Sequence, residues 1–143
     1  MALFDDTLKQ QITGILGKMK GPVRLSYFTQ EFECAACKDT HTFVDEFAGM
    51  SDAIKLSVYD FQKDREAADR LHIDKIPAIA MADRDGTDTG IRFFGLPGGY
   101  EINSFIGSLI EVSGLREPLK EPVASRIAAV QKDVHIQVFI MVT

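Results

Sequence analysis

Tryptophan is absent from these 143 residues, cysteine occurs twice and histidine three times. No apolar run approaches the roughly 20 residues that a membrane-crossing helix needs, so a membrane span is not expected. A basic excess is also missing. The 16 Lys and Arg are scattered among 21 Asp and Glu, for a net charge of -5, and nucleic-acid phosphates need a concentrated basic patch. Polybasic and lipidation signals for membrane attachment are lacking too. The start, Met1-Ala2-Leu3-Phe4-Asp5-Asp6, turns acidic where a secretory leader needs a basic start and an apolar stretch, so a cytoplasmic location is expected. Two cysteines are too few for a disulfide scaffold, and the length suits one ordinary domain with its own hydrophobic core.

What is present is the composition of a soluble globular protein, 45% hydrophobic and 26% charged. Leu8, Ile12, Ile15, Leu16 and Met19 recur at helical spacing after the possible caps Asp5, Asp6 and Thr7, and Gly21-Pro22 ends that helix. Val23 to Thr29 is β-rich and partly alternating, and Gln30-Glu31 then turns into Cys34-Ala35-Ala36-Cys37. Phe43, Val44, Phe47 and Ala48 share a helical face, with Gly49 as its stop. The cysteines therefore lie where a strand hands over to a helix.

Beyond them the sequence predicts a strand over Ile54 to Tyr59, a short polar helix over Lys63 to Leu71, and a small-residue strand over Ala78 to Ala82. A turn over Asp83 to Gly90, a strand over Ile91 to Phe94 and an amphipathic helix marked by Ile102, Phe105, Ile106, Leu109 and Ile110 follow. This order predicts an α/β fold, a mixed central sheet flanked by helices.

The last segment repeats the first. Laying Val134 on Val23 places Val123 on Ile12, Ile127 on Leu16, Val130 on Met19 and Phe139 on Phe28. A domain over residues 1–114 is therefore expected, followed over 115–143 by a linker, a helix and a very apolar strand, Val134 to Val142, that open a second copy of the same unit.

Two cysteines spaced i, i+3 at a helix start can close into a disulfide, and the helix N-terminus turns free N–H groups and positive dipole toward the first sulfur. Cys34 is then the better thiolate and the nucleophile; Cys37, deeper in the helix, resolves the mixed disulfide. Lys38 adds positive charge nearby, opposed by Glu31, Glu33 and Asp39. A metal site would combine Cys34, Cys37 and His41, yet a closed zinc site wants four ligands and neither His72 nor His135 has a reason to join, so no metal is expected. An inert pair is the other bland reading, and His41 alone reads as a partly buried or solvent-facing histidine.

Lys75-Ile76-Pro77-Ala78 is the second informative element, because proline cannot donate to a sheet ladder and fits a strand start. Cys34-Ala35-Ala36-Cys37 at a strand-to-helix junction, then Ile76-Pro77, a turn and strand, and Gly98-Gly99 before a last helix resemble the thioredoxin and glutaredoxin superfamily. Over nearly the whole chain, Ile73 to Ala78, Arg92 to Glu101 and Asp133 to Phe139 resemble the N-terminal unit of two-unit protein disulfide oxidoreductases, the glutaredoxin-like proteins of archaea and bacteria.

That resemblance implies a thioredoxin-like fold, a cis peptide bond before Pro77 facing the disulfide, and Ile76 and Pro77 shaping the groove where extended substrate docks. It also implies a second fold with its own CxxC after the last strand, a motif that would begin just past Thr143. The chain departs from thioredoxins in lacking tryptophan: Glu33 precedes the motif where they carry one, and Phe28 stands where they bury a carboxylate. Gly98-Gly99 resembles the glutaredoxin helix start that holds glutathione, and a glycine turn capping a helix explains it equally well.

The expected function is thiol-disulfide exchange with protein disulfides or dithiols, with Cys34 and Cys37 as the reacting pair and no cofactor. Two other readings stand beside it: a redox carrier passing electrons between a flavoprotein reductase and a peroxidase, and a non-catalytic scaffold. A homodimer formed through the C-terminal strand is a further expectation, because an exposed apolar strand is a template for pairing.

Overall fold

The structure, a computed structural model, describes residues 2–141. Helix α1 spans Asp6–Leu16, opened by Asp5, whose carboxylate accepts the Leu8 N–H at 2.8 Å, and it buries Ile12 and Leu16. Strand β1 (Val23–Thr29) follows, then helix α2 (Cys37–Met50), strand β2 (Ile54–Asp60), short helix α3 (Arg65–Arg70), strand β3 (Ala78–Ala82) and strand β4 (Asp88–Phe94). One 3-10 turn, Gly99–Glu101, leads into helix α4 (Ile102–Val112), and a short helix α5 covers Val123–Ala128.

The four strands lie in the order β2-β1-β3-β4, with β1 and β2 parallel and β3 antiparallel to both β1 and β4. This is the mixed sheet flanked by helices that the sequence predicts. Alternation along β1 divides the interior. Val23, Leu25 and Tyr27 point into the larger cluster, which α1, α2 and α4 close with Ile12, Leu16, Phe43, Phe47, Phe105 and Leu109. Phe105 meets Phe43, Phe47 and Phe93 edge-on, with ring centroids 5.0 to 5.3 Å apart, a geometry that suits the ring quadrupoles.

Phe28 points the other way. With Ala68, Ile73 and Ala78 it forms a smaller cluster under α3, stacked on Tyr59 at 5.1 Å. Across that face Arg92 of β4 donates to the Leu71 carbonyl at 2.9 and 3.2 Å and pairs with Asp88, which pins the end of α3 to the sheet edge.

Helix α1 stops at Leu16, capped at Gly17 and short of the expected Gly21-Pro22, and two later segments also differ from expectation. β4 begins at Asp88, inside the predicted turn, because Asp83 gathers the N–H groups of Asp85 and Thr87 at 2.9 Å and tightens the reversal. The strand expected over Val134 to Val142 is not formed. From Ala129 to Met141 the backbone has no ladder partner and the side chains are exposed, Phe139 by 90%; Val142 lies outside the described residues. A strand of that composition needs a neighbouring sheet edge to satisfy its backbone, and neither β2 nor β4 receives it here. No helix among the described residues is long and apolar enough to cross a membrane.

Candidate redox site

Strand register brings the predicted site residues to one end of the sheet. Phe28 of β1 is opposite Ala78 of β3, which in turn faces Phe94 of β4. Pro77, just before Ala78, and the loop from Gln30 to Ala36, just after Thr29, therefore leave the sheet at the same edge. Gly95 N–H donates to the Pro77 carbonyl at 2.9 Å, so the loop into the Gly98-Gly99 turn starts there as well. Pro77 is buried, the Ile76-Pro77 bond is cis, and Ile76 packs against the smaller cluster.

Cys34 and Cys37 form a disulfide with Cα atoms 5.4 Å apart. Cys37 is the first residue of α2 and 3% exposed; Cys34 lies one turn earlier and half-buried. Ala36 caps the helix without a side-chain bond. The first N–H groups of α2 thus keep their positive partial charge toward the cysteine loop, where an anionic sulfur on Cys34 would be stabilised. Glu33, immediately before Cys34, takes a left-handed φ of 53°, which non-glycine residues adopt at a cost.

Beneath the pair, Tyr27 reaches from β1 and its buried hydroxyl donates to the Cys37 carbonyl at 2.7 Å. Burial pushes that hydroxyl above the ordinary tyrosine range, with the Thr29 hydroxyl pulling the other way. The Tyr27 ring lies 5.3 Å from the His41 ring, and His41 Nε2 is 3.5 Å from Asp45. Sequence reasoning passed over Tyr27, although its place in the alternation with Val23 and Leu25 was a signal that it faces α2. At the rim, Phe32 and Tyr100 are exposed, and Lys75 bonds Asp74 at 2.6 Å while lying 4.4 Å from the Phe94 ring. Among the described residues no group of three or more His, Cys, Asp or Glu side chains is placed to hold a metal ion.

No family model matches the chain. Curated relatives do. The chain is 26% identical over 141 residues to an NADH dehydrogenase of Bacillus subtilis, covering 99% of the chain and 25% of that protein. It is 27% identical over 142 residues to the F component of the alkyl hydroperoxide reductase of Staphylococcus aureus, with the same coverage of each. The chain thus spans about a quarter of the length of these relatives.

Among solved structures, the NTD domain of the alkylhydroperoxide reductase AhpF of Enterococcus faecalis matches with a TM-score of 0.81 and 28% identity, over 90% of this chain and 62% of that one. A protein disulfide oxidoreductase of Aeropyrum pernix shares the fold, with a TM-score of 0.76 at 20% identity, over 90% and 56%. In its mixed sheet and in the disulfide at the junction of β1 and α2, the chain has a thioredoxin-like fold, and these likenesses are to the N-terminal unit of two-unit members of that superfamily.

Proposed function

We propose that the chain is a thiol-disulfide oxidoreductase that exchanges the Cys34–Cys37 disulfide with protein disulfides or dithiols. The observation that carries this reading is the asymmetry of the pair: Cys34 is reachable at an uncapped helix N-terminus, and Cys37 is buried behind it. In reduction, the Cys34 thiolate attacks a substrate disulfide, and Cys37 then displaces the substrate thiolate and closes the internal disulfide. Buried Pro77 and partly buried Ile76 shape the edge where extended substrate meets the sulfurs. No cofactor enters these steps. Reduction of insulin by dithiothreitol tests the reading: the wild-type chain accelerates it, and Cys34→Ser abolishes the acceleration.

A carrier role for the same pair is favoured by the names of the relatives, an alkyl hydroperoxide reductase component and an NADH dehydrogenase. On this reading a flavoprotein reductase delivers two electrons to the disulfide and a peroxidase withdraws them. Cycling of this kind suits the cytoplasm, where thiols are kept reduced. Reduction of the pair by NADH plus a flavoprotein reductase, with insulin reduction weak, would select it over broad exchange; failure of both would leave a scaffold.

Residues 115–143 read as the linker, helix and first strand of a second unit, supported by likeness to the relatives over 99% of the chain. Val134, Ile136 and Val138 are 67 to 81% exposed, and a second copy of the chain offers a sheet edge to such a strand. Light scattering on the intact chain and on one ending near Ser113 tests the pairing: a dimer only when the tail is present supports it, and two monomers overturn it.

A further inference from the structure

Resolution of the mixed disulfide requires Cys37 as a thiolate, so its proton must go somewhere. Cys37 is 3% exposed, which denies bulk water direct access. Phe28 holds the place where thioredoxins bury a carboxylate, and its ring is stacked on Tyr59 on the opposite face of the sheet. The Tyr27 hydroxyl donates to the Cys37 carbonyl, and burial makes it a poorer acid, so Tyr27 positions and does not deprotonate.

His41 and, one turn further on, Asp45 share the Cys37 flank of α2. His41 follows Cys37 by one turn, and helical residues so spaced have Cβ atoms about 5–6 Å apart, the later side chain leaning back over the earlier. Its ring rests on the same Tyr27 whose hydroxyl holds the Cys37 carbonyl. Its Nε2 faces Asp45 at 3.5 Å, while Nδ1 has no hydrogen-bond partner among the described residues. Nucleophile, base and carboxylate orienter form a recurrent arrangement for activating a weak acid. His41 meets Tyr27 from β1 and Asp45 from its own helix, while Phe4, just before α1, and the Lys9–Glu46 pair join the start of the chain to α2 at other residues.

We propose, resting on the exchange reading above, that His41 accepts the Cys37 proton in the resolving step, with Tyr27 and Asp45 as positioning residues. The Cys37 S–H bond breaks and its proton moves to His41 Nδ1. The Cys37 sulfur attacks Cys34 Sγ, forming the internal disulfide as the bond from Cys34 to the substrate sulfur breaks. The departing thiolate takes a proton from the imidazolium or from water. The substrate disulfide gains two electrons and two protons overall, and the Cys34–Cys37 dithiol loses them.

Stopped-flow reaction of the reduced chain with dithiobis-nitrobenzoate separates the steps, since one coloured thiolate leaves when Cys34 attacks and a second when Cys37 resolves. His41→Gln should slow the second phase at pH 7 by about 10²-fold, within the usual reach of general-base catalysis. The pH profile of that phase should change with it, leaving a rate that climbs with pH toward the free-thiol range of about 8.5. Asp45→Asn should slow the same phase by a smaller factor. A His41→Gln second phase with wild-type rate and pH profile overturns the proposal. The first phase, which needs Cys34 alone, reports folding; if His41→Gln loses it, Asp45→Asn decides, and a wild-type second phase there overturns the idea. A wild-type chain that shows no second phase overturns the exchange reading itself, a different result from an unaltered variant.

Discussion

The Tyr27 hydroxyl donates to the Cys37 carbonyl across 2.7 Å, joining the central strand to the first turn of the helix that carries the second cysteine. Both partners are buried. Neutral buried hydrogen bonds contribute about 0.5–1.5 kcal/mol net. Tyr27→Phe keeps the ring in the large cluster and removes only the donor, so urea unfolding of the oxidised chain should show a loss in that range. An unchanged midpoint would mean that the bond carries no stability.

Exposure and helix position give the cysteines different reactivity. In the reduced chain Cys34 should be alkylated by iodoacetamide before Cys37, with an apparent pKa below the free-thiol value of about 8.5. Peptide mass mapping reads the order. Labelling of Cys37 first would reverse the assigned roles, and Cys37→Ser should trap a stable mixed disulfide at Cys34.

Arg92 forks onto both Asp88 oxygens at 2.8 and 2.6 Å. That hydrogen bonding, the largest influence on the group, holds the Asp88 carboxyl below the ordinary aspartate range. A depressed folded-state value means the pair stabilises the fold above the unfolded aspartate value of about 3.9 and loses its effect as pH falls through the lower folded value. Asp88→Asn should be less stable than wild type at pH 7, with the gap closing below about pH 4. Urea midpoints across that range check the sign; a gap that widens in acid would contradict it.

Glu33 holds a left-handed φ of 53° directly before Cys34. Glycine enters that region without penalty, whereas it also frees the unfolded chain. Glu33→Gly should therefore change stability by between zero and about 1 kcal/mol in the stabilising direction, and a β-branched residue there should destabilise. Thermal unfolding of Glu33→Gly and Glu33→Val distinguishes the two directions. A stabilising valine would show that the backbone conformation carries no strain.

Local periodicity was enough to place most of the elements. Val23 to Thr29 and Ala78 to Ala82 appear as strands with the predicted bounds, and α2 carries Phe43, Val44 and Phe47 on its buried face, as their spacing required. Such patterns are legible because a residue's burial within one element follows from the geometry of that element alone. The cysteine pair was legible for the same reason: its spacing closes within one turn.

Contacts between distant segments were not legible. Alternation turns Tyr27 inward with Val23 and Leu25, yet nothing local sets it under Cys37 or distinguishes His41 from a surface histidine; their meeting on one flank of Cys37 depends on how α2 crosses β1. The tail shows the converse. Its sequence is that of a strand, and Val134 to Met141 still lies unpaired, because strand identity needs a partner's backbone and only the tertiary arrangement supplies one.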